Sequence, residues 1–292
     1  MNDTVNGRRW IVSLLKPPGY VHIYALYECA EAFLNGLKAL GFDARFGAPQ
    51  EPCDHVLVFG AHLMSPASRL PAHAIIYNTE QLVDWSKRAD QQHYFDHLAR
   101  HEVWDYSDAN IEVLRARGHA RVRRVGLGYE PELTRIPASA EQDIDVLFYG
   151  SRNDRRVAVL QQLARMGLKA QALGSVYGAQ RDAYIARSNV VLNVHYYPSG
   201  TFEIARVSYL LANHKAVVCE HSVVNDDDAP LLDGMAYVPY EALVSSCATL
   251  VEDTPVRQAL EQRGFDLFAA RRQSDLIARA LGLPPLAADV AA

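Results

Sequence analysis

Three short apolar runs, each followed by polar residues, most constrain what this chain can fold into. The runs are typical of buried β-strands and have helical patterns between them: DVLFYG (145–150), VVLNVHYY (190–197) and AVVCEH (216–221). The first precedes a helical pattern from Arg155 to Met166 that stops at Gly167, and the second precedes one that begins near Glu203. Such alternation predicts a parallel α/β sheet, in which ligands bind outside the carboxyl ends of the strands. Because helix N-termini attract anions, this stretch is predicted to be a nucleotide-binding half.

Composition excludes several classes of protein. Of the 292 residues, 49% are hydrophobic and 22% are charged, as in ordinary globular proteins. The net charge of −5 gives no electrostatic footprint for nucleic acid or anionic lipid, so no nucleic-acid partner is expected. Four cysteines lack CxxC spacing, which fits a reducing compartment: Cys29, Cys53, Cys219 and Cys247. With no secretory signal in the first ten residues and no apolar run of about 18 residues, we expect a cytoplasmic protein without a transmembrane segment.

The first half of the chain repeats the alternation of strands and helices. One helix is predicted where Phe33, Leu37 and Leu40 share a face and Gly41 ends the last turn. The predicted strands are WIVSLL (10–15), DARF (43–46), HVLVFG (55–60), AIIYNTE (74–80), EVWDYS (102–107) and RVRRVGLG (121–128). Proline and small or polar residues mark 128–143 as a linker. We therefore predict one domain over 1–130 and a second over 143–292.

The end of the chain is predicted to be mostly helical. A long helical region is expected from about Thr254 to Leu281, and the small-residue tail after Leu283 is expected to fray.

Familiar nucleotide and hydrolase motifs do not occur in the sequence. No GxGxxG follows the first strand of either half, and GxxxxGK[ST] is missing, so neither a dinucleotide fingerprint nor a P-loop is indicated. A GxSxG elbow and an HExxH zinc motif are missing as well. What remains is a two-domain fold of the kind found in transferases, kinases and dehydrogenases. It would bind a nucleotide diphosphate through helix N-termini and a few side chains.

One long run is similar to a known family. LNVHYYPSGTFEIARVSYLLANHKAVVCEHS (192–222) resembles the donor-binding core of GT-B glycosyltransferases of the group 1, family 4-like kind, with its pattern RVxEALACGxPVV. DVLFYGSRNDRR (145–156) resembles that family's first C-terminal strand and glycine loop, and 103–118 and 122–133 resemble the end of its N-terminal half. The resemblance implies two Rossmann-like domains facing a central cleft, with the last helix crossing back to the N-terminal domain.

The same resemblance implies an activity. The N-terminal domain would bind an acceptor, and the C-terminal domain would bind a nucleotide-diphosphate sugar as co-substrate. The enzyme would move the sugar to a hydroxyl of a glycan, lipid-linked saccharide, protein or small metabolite, with no cofactor and no metal. Helix N-termini and arginine side chains would stabilise the departing diphosphate.

The chain departs from the family at one motif. Retaining members often carry two glutamates eight positions apart, but Leu211 stands eight places after Glu203, and Tyr209 aligns with the second glutamate. Whether transfer retains or inverts configuration therefore stays open. Two other functions also stay open: a sugar-nucleotide epimerase on the same fold, and a non-catalytic nucleotide-sugar-binding subunit that partners another transferase.

Donor-binding candidates follow the strands of the second half. Glu203 is a candidate catalytic residue and donor ligand, or a first-turn carboxylate that complements the helix dipole. Arg206 either pairs with Glu203 across one turn or binds the diphosphate. One of Arg155 and Arg156 is expected to be a solvated surface charge. The predicted donor-binding residues are Gly150, Ser151, Arg152, Arg155, Tyr177, Asn193, His195, Thr201, Glu203, Arg206 and Glu220.

Acceptor-binding candidates follow the strands of the first half. Glu80 is the first choice of catalytic base, because an apolar strand would deliver its carboxylate to the site and partial burial would raise its pKa. The alternative is that Glu80 caps the following helix. Asp105 within VWDYS is a further candidate, and the predicted acceptor-binding residues are Gly19, Tyr20, His22 and His62.

Overall fold

The computed structural model describes residues 7–86, 88–139, 141–196 and 200–284, and divides into two compact units. The first consists of Met1–Glu130 with Arg272–Ala292, and the second of Pro131–Arg271. The predicted boundary lay between 130 and 143, and the second unit begins at Pro131. The end of the run 190–197, the start of the loop after it, and the tail from 285 onwards lie outside the described residues.

The first unit is built on a six-stranded parallel sheet in the order β2-β1-β3-β4-β5-β6. Its strands are β1 (Arg9–Leu14), β2 (Asp43–Phe46), β3 (His55–Phe59), β4 (Ala74–Asn78), β5 (Glu102–Asp105) and β6 (Val122–Arg124). Strands β3 and β4 are almost wholly buried, as expected for the middle of a sheet with both faces covered. Every strand predicted in this half is present, although β6 is three residues long.

Helices and 3-10 turns connect these strands. The helices are α1 (Tyr27–Ala39), α2 (Leu82–Trp85), α3 (Gln92–Arg100) and α4 (Asp108–Ala116), and 3-10 turns span Val21–Leu26, Ala61–Leu63 and Ala89–Gln91. Phe33 and Leu37 are buried on the inner face of α1, as their spacing predicts, and Gly41 follows that helix with a φ of +86°.

The second unit has a five-stranded parallel sheet in the order β11-β10-β9-β7-β8. Its strands are β7 (Ile144–Tyr149), β8 (Ala170–Leu173), β9 (Ser188–Asn193), β10 (Ala216–Glu220) and β11 (Ala236–Val238). Its helices are α5 (Asp154–Arg165), α6 (Gly178–Arg187), α7 (Ile204–Ala212), α8 (Leu243–Glu252) and α9 (Thr254–Ala269), and 3-10 turns span Pro131–Leu133, Ala229–Gly234 and Tyr240–Ala242. The predicted α/β class, with two parallel sheets, is confirmed.

The last helix belongs to the first unit. The predicted single region from Thr254 to Leu281 is two helices, because the chain leaves α9 after Ala269 and restarts as α10 (Gln273–Leu281). Helix α10 packs closely on α1: a Cβ at Gly36 would lie 2.9 Å from Ile277 Cδ1. The Glu130 carboxylate accepts a hydrogen bond from the Ser274 amide at 2.8 Å, which fixes the start of α10.

One further difference concerns the end of α7. His214 stands where the resembling family's pattern has glycine, and it adopts a φ of +50°. Its ring stacks on Phe265, with the ring centroids 3.8 Å apart. His214 thus adopts a left-handed conformation although it carries a side chain, and the stacking contact offsets part of the strain. None of the described helices is long and apolar enough to cross a membrane.

Candidate functional site

The strongest cluster of charged side chains lies at the carboxyl end of the second sheet. Gly150 follows β7 with a φ of +135°, a backbone conformation that residues other than glycine rarely adopt. A Cβ there would lie 3.1 Å from Nη2 of Arg206 and 3.8 Å from Nη1 of Arg156. Glycine at this position therefore lets two guanidinium groups come close to the backbone that follows the strand.

Glu203 is the centre of this cluster. It occupies the N-cap position of α7, but its side chain makes no capping hydrogen bond. The carboxylate lies 3.0 Å from Nη1 of Arg206 and 3.3 Å from Nη2 of Arg156. Nδ1 of His195 is 3.6 Å away. Glu203 is therefore held by basic side chains from α5, α7 and the segment after β9, and it does not act as a simple helix cap.

These contacts set the protonation of the cluster. Burial by itself would raise the pKa of Glu203, but Arg206, His195 and Arg156 outweigh it and hold that pKa at about 2. Burial lowers the pKa of Arg156 to about 10, although Glu203 opposes the shift. Near pH 7 the site thus holds a carboxylate beside two guanidinium cations, with a net positive charge.

Arg156 is the most enclosed cation of the cluster, with 4% of its surface exposed. Its Nε donates to the Val194 carbonyl and its Nη1 to the Ser151 carbonyl, both at 2.8 Å. The guanidinium also lies over the rings of Phe148 and Tyr196. The expectation that one of the two adjacent arginines is solvated is wrong, because Arg156 is buried and Arg155, with 19% of its side chain exposed, is held in an ion pair with Glu220.

Arg155 forms a separate ion pair. Its guanidinium contacts both carboxylate oxygens of Glu220 and lies 4.0 Å from the ring centroid of Tyr240. The Glu220 carboxylate also accepts a hydrogen bond from the His195 amide at 3.0 Å. This ion pair lies at the carboxyl end of β10. A contact of Arg155 or Glu220 with a donor would therefore use atoms that do not take part in the ion pair.

Asn193 and His195 complete the cluster from the end of β9. Asn193 Oδ1 accepts a hydrogen bond from Nη1 of Arg206 at 2.8 Å. His195 is 1% exposed, and its Nε2 donates to the Glu220 carbonyl at 3.2 Å. A Cβ at Gly200 would lie 2.6 Å from the His195 ring, so this glycine allows the following loop to cover the imidazole.

The remaining donor-binding candidates are spread over neighbouring loops. Ser151 and Arg152 are exposed between β7 and α5. Thr201 pairs with Val223 in an isolated bridge, and Tyr177 is the N-cap of α6, after β8. The structure therefore brings together five of the predicted donor residues around one carboxylate: Gly150, Asn193, His195, Arg206 and Glu203 itself.

Tyr209 stands at the position of the family's second glutamate. It is buried, and its hydroxyl makes two hydrogen bonds. Its hydroxyl donates to Oδ2 of Asp182 at 2.9 Å and accepts from Nε of Arg135 at 3.1 Å. Burial, together with the charge of Asp182, raises the pKa of this phenol. Sequence reasoning missed Asp182 because the residues around it carry no motif.

A second carboxylate site lies at the carboxyl end of the first sheet. Glu80 follows β4, and its Oε1 lies 3.2 Å from Nδ1 of His62, which the 3-10 turn after β3 carries. Gly60 starts that turn with a φ of +80°, and a Cβ there would lie 2.6 Å from Cδ1 of Ile23. Gly60 thus gives the chain the sharp bend that brings His62 beside Glu80.

The electrostatics of this site are opposite to those of the Glu203 cluster. Burial raises the pKa of Glu80 to about 7, and a hydrogen bond from Thr79 offsets it only in part. Burial lowers the pKa of His62 to about 4. Burial and the charge of Glu80 together raise the pKa of Tyr20. Near pH 7, therefore, a neutral imidazole faces a carboxyl group that is about half ionised, a state suited to accepting a proton.

The other acceptor-binding candidates lie in the loop after β1, where Tyr20 is close enough to Glu80 to feel its charge. Gly19 has a φ of +76°, and the ring of His22 lies 5.3 Å from that of Tyr20. Asp105, at the end of β5, is fully buried, and burial raises its pKa to about 7. Its carboxyl group accepts hydrogen bonds from three N–H donors, so Asp105 is bound within the protein.

In the part of the chain that the structure describes, no group of three or more His, Cys, Asp or Glu side chains could hold a metal ion.

No protein-family model and no curated protein matches the chain by sequence. Solved structures match it over almost its whole length. Anabaena HepE, determined in complex with UDP and glucose, has a TM-score of 0.60 at 13% identity, and the match covers 94% of this chain and 99% of HepE. WaaG, a glycosyltransferase involved in lipopolysaccharide biosynthesis, has a TM-score of 0.60 at 10% identity, covering 93% and 98%.

A third similar structure is AviGT4, a glycosyltransferase involved in avilamycin A biosynthesis. It has a TM-score of 0.56 at 14% identity, and the match covers 93% of this chain and 96% of AviGT4. At such identities the likeness concerns the fold, and it covers more than nine-tenths of the chain. The chain therefore has the GT-B glycosyltransferase fold that its sequence led us to expect.

Proposed function

We propose that this chain is a glycosyltransferase that moves a sugar from a nucleoside-diphosphate donor to a hydroxyl acceptor. The observation that carries the proposal is the cluster in which Arg156 and Arg206 converge on Glu203 beside Gly150. This cluster lies at the carboxyl end of a parallel sheet, where ligands bind in such folds. A GT-B fold with cationic side chains at this position suits the binding of a diphosphate.

The donor half of the reaction is assigned to the second unit. When the donor bond breaks, negative charge develops on the leaving diphosphate, and guanidinium groups beside it lower the energy of that state. Arg206 is 18% exposed on its side chain, so it can reach a ligand and still contact Glu203. The carboxylate of Glu203 would accept hydrogen bonds from donor hydroxyls. HepE was solved with UDP, which makes uridine the first base to test.

The acceptor half is assigned to the first unit. Glu80 would accept the proton of the acceptor hydroxyl as that oxygen attacks the sugar, since its pKa of about 7 matches such a base. His62 is neutral near pH 7 and would orient the Glu80 carboxylate. Tyr20 and His22 would line the acceptor site with aromatic rings. Here the group transferred is the glycosyl unit, and the diphosphate leaves with the bonding electrons.

Metal-independence is a part of this proposal and is supported by the two guanidinium groups at Glu203, which can supply the positive charge that a diphosphate requires. Activity should then survive a chelator. Cytoplasmic location is proposed as well, on the observation that Cys219 and Cys247 are buried and form no disulfide.

A thermal-shift screen with nucleoside diphosphates tests the donor half. A ligand bound only by the folded chain stabilises it by about 2.7 kcal/mol at a hundredfold excess over Kd. We expect a shift with one or two bases among uridine, guanosine, thymidine, adenosine and cytidine diphosphates. The shift should disappear in Arg206→Ala and persist in Arg165→Ala, an exposed arginine at the end of α5. A flat response to all five would contradict the proposal.

Product analysis separates the alternatives. Slow release of free sugar from the matching sugar nucleotide, without any acceptor, indicates a transferase. Interconversion of two sugar nucleotides would indicate an epimerase instead. Binding with neither reaction would indicate a non-catalytic subunit that partners another transferase.

A further inference from the structure

The turn that carries Glu80 is held by two buried amides. Asn78 accepts a hydrogen bond from the Glu80 amide at 3.1 Å and donates to the Glu80 carbonyl at 2.9 Å. Asn110, from α4, donates to the same carbonyl at 2.8 Å and accepts from the Leu82 amide at 2.8 Å. Both backbone polar groups of Glu80 are thus bound by side chains, which leaves the turn little freedom.

Asp105 determines which way both amides point. Its Oδ2 accepts from Nδ2 of Asn78 at 2.6 Å, and its Oδ1 accepts from Nδ2 of Asn110 at 3.2 Å. In its ionised form the Asp105 carboxylate only accepts hydrogen bonds, so each amide turns its NH₂ group towards it. Each amide oxygen then faces a backbone N–H of the turn, as observed. Oδ1 also accepts from the Ser107 amide at 2.8 Å, which ties the carboxylate to its own loop.

The network is enclosed. Asn78 and Asp105 are 0% exposed, and Asn110 is 1% exposed. Tyr94, also buried, donates its hydroxyl to Oδ1 of Asn78 at 2.7 Å. Since reorienting one amide inside such a site would leave buried polar atoms unpaired, the arrangement is a single well-defined state.

We infer that Asp105 is a positioning residue for the Glu80 carboxyl group, acting through Asn78 and Asn110. It holds the turn after β4 so that the carboxyl group lies against His62 with most of the Glu80 side chain buried. The catalytic meaning of this arrangement rests on the proposed function, but the arrangement itself does not. The titratable groups facing Glu80 are His62 from the turn after β3, Tyr20 from the loop after β1, and Tyr94 from α3.

The titration of Glu80 gives a direct measurement of this positioning. Infrared difference spectra between the wild type and Glu80→Gln isolate the carboxyl band of Glu80 as pH is varied. A midpoint near 7 is expected in the wild type. If the turn loosens, water reaches the carboxyl group, and the midpoint should fall by about one unit or more towards its ordinary value.

Two variants distinguish the positioning effect of Asp105 on Glu80 from the effect of the Asp105 charge on the Glu80 midpoint. Asp105→Asn replaces one of the two acceptor oxygens by an NH₂ donor and also removes the negative charge of the ionised form, and either change would lower the Glu80 midpoint. Asn110→Ala loosens the same turn without changing charge. Each is compared with its own Glu80→Gln double variant. We expect both to lower the midpoint, while Asp96→Asn, an exposed acid-to-amide change on α3, leaves it unchanged.

The inference is overturned if the folded Asn110→Ala keeps the wild-type midpoint, even if Asp105→Asn lowers it. If Asn110→Ala does not fold, Tyr94→Phe removes a single hydroxyl from the network, and an unchanged midpoint there overturns the inference equally. None of these measurements needs a sugar donor. A flat nucleotide screen with a shifted midpoint would therefore contradict the proposed function alone.

Discussion

Glu80 and Glu203 are two carboxyl groups at the carboxyl ends of parallel sheets, and their pKa values are shifted in opposite directions. Each follows a strand of a parallel sheet, and their side chains are similarly exposed, at 24% and 18%. Yet the pKa of Glu80 is raised to about 7, whereas that of Glu203 is lowered to about 2. Burial pushes both pKa values upwards, so burial cannot explain the difference.

The neighbouring side chains explain it. Glu203 has Arg206 and Arg156 within 3.3 Å, and these cations stabilise its ionised form. Glu80 instead faces His62, whose own pKa is lowered to about 4, so this partner carries no positive charge near pH 7. One carboxyl group is thus fixed as an anion that can accept hydrogen bonds, and the other is able to exchange a proton.

The largest expected effect comes from removing the enclosed cation. Arg156→Ala leaves Glu203 with one guanidinium partner and leaves two backbone carbonyls unpaired. Breaking a buried pair on one side costs about 3–5 kcal/mol of unfolding free energy. Urea unfolding at pH 7 measures the loss, with Arg165→Ala as the exposed control on the same helix. If both variants lost the same amount, Arg156 would not support the Glu203 cluster.

Glu203→Gln should show at which pH values the ionised Glu203 carboxylate stabilises the folded protein. Since the folded pKa lies below the ordinary 4.5, the stabilisation is present above pH 4.5 and is lost as pH falls through about 2. At pH 7 the variant should lose about 2–3 kcal/mol of unfolding free energy and converge with the wild type in acid. Glu252→Gln, an exposed change at the end of α8, is the control.

If the proposed donor role holds, Glu203→Gln also weakens nucleotide-sugar binding about ten- to a hundredfold. Unchanged affinity with lowered stability would assign Glu203 a structural role only.

Glu80→Gln should give a pH dependence of opposite sign. The folded pKa lies above 4.5, so stability is greatest below pH 4.5 and falls as pH rises through about 7. The amide cannot ionise, so the variant should match the wild type in acid and exceed it by up to about 2 kcal/mol above pH 8. Transferase activity, where detected, should fall about a hundredfold or more. Parallel pH curves for the two proteins would contradict the raised pKa.

The smallest expected effect concerns the packing over His195. In Gly200→Ala the new methyl group would lie 2.6 Å from the imidazole, which must move away from Glu203. Overpacking of this kind costs about 1–2 kcal/mol. Gly174→Ala is the matched control, because a Cβ there meets nothing within 4 Å and its φ is not positive. Equal stability of the two variants would show that the imidazole moves freely.

Much of the fold could be predicted because its signals are local. Apolar runs such as 56–59 and 216–220 are buried on both faces, and this appears in sequence as continuous hydrophobicity. Strand β11 was not predicted because its three residues are only half-buried, so their pattern is weak. The break between α9 and α10 was missed because Arg271 and Arg272 are not residues that end helices by themselves.

The site was predicted less completely. Glu80, Glu203 and Arg206 were identified because each follows a predicted strand, which places it at the edge of a parallel sheet. Nothing in the neighbouring sequence distinguishes Arg155 from Arg156, and the structure alone assigns one to Glu220 and the other to Glu203.

The sequence by itself therefore determined the order of strands and helices, the two halves, and the loops that carry the site. Tertiary structure decided which charges meet. Arg156 and Glu203 are 47 residues apart in the chain, and Glu80 and Asn110 are 30 apart. A pKa depends on every charge and dipole within a few ångströms, whereas a sequence pattern reports only on neighbours along the chain. For that reason two glutamates that look alike in the sequence became an anion and a proton acceptor only once the sheets had formed.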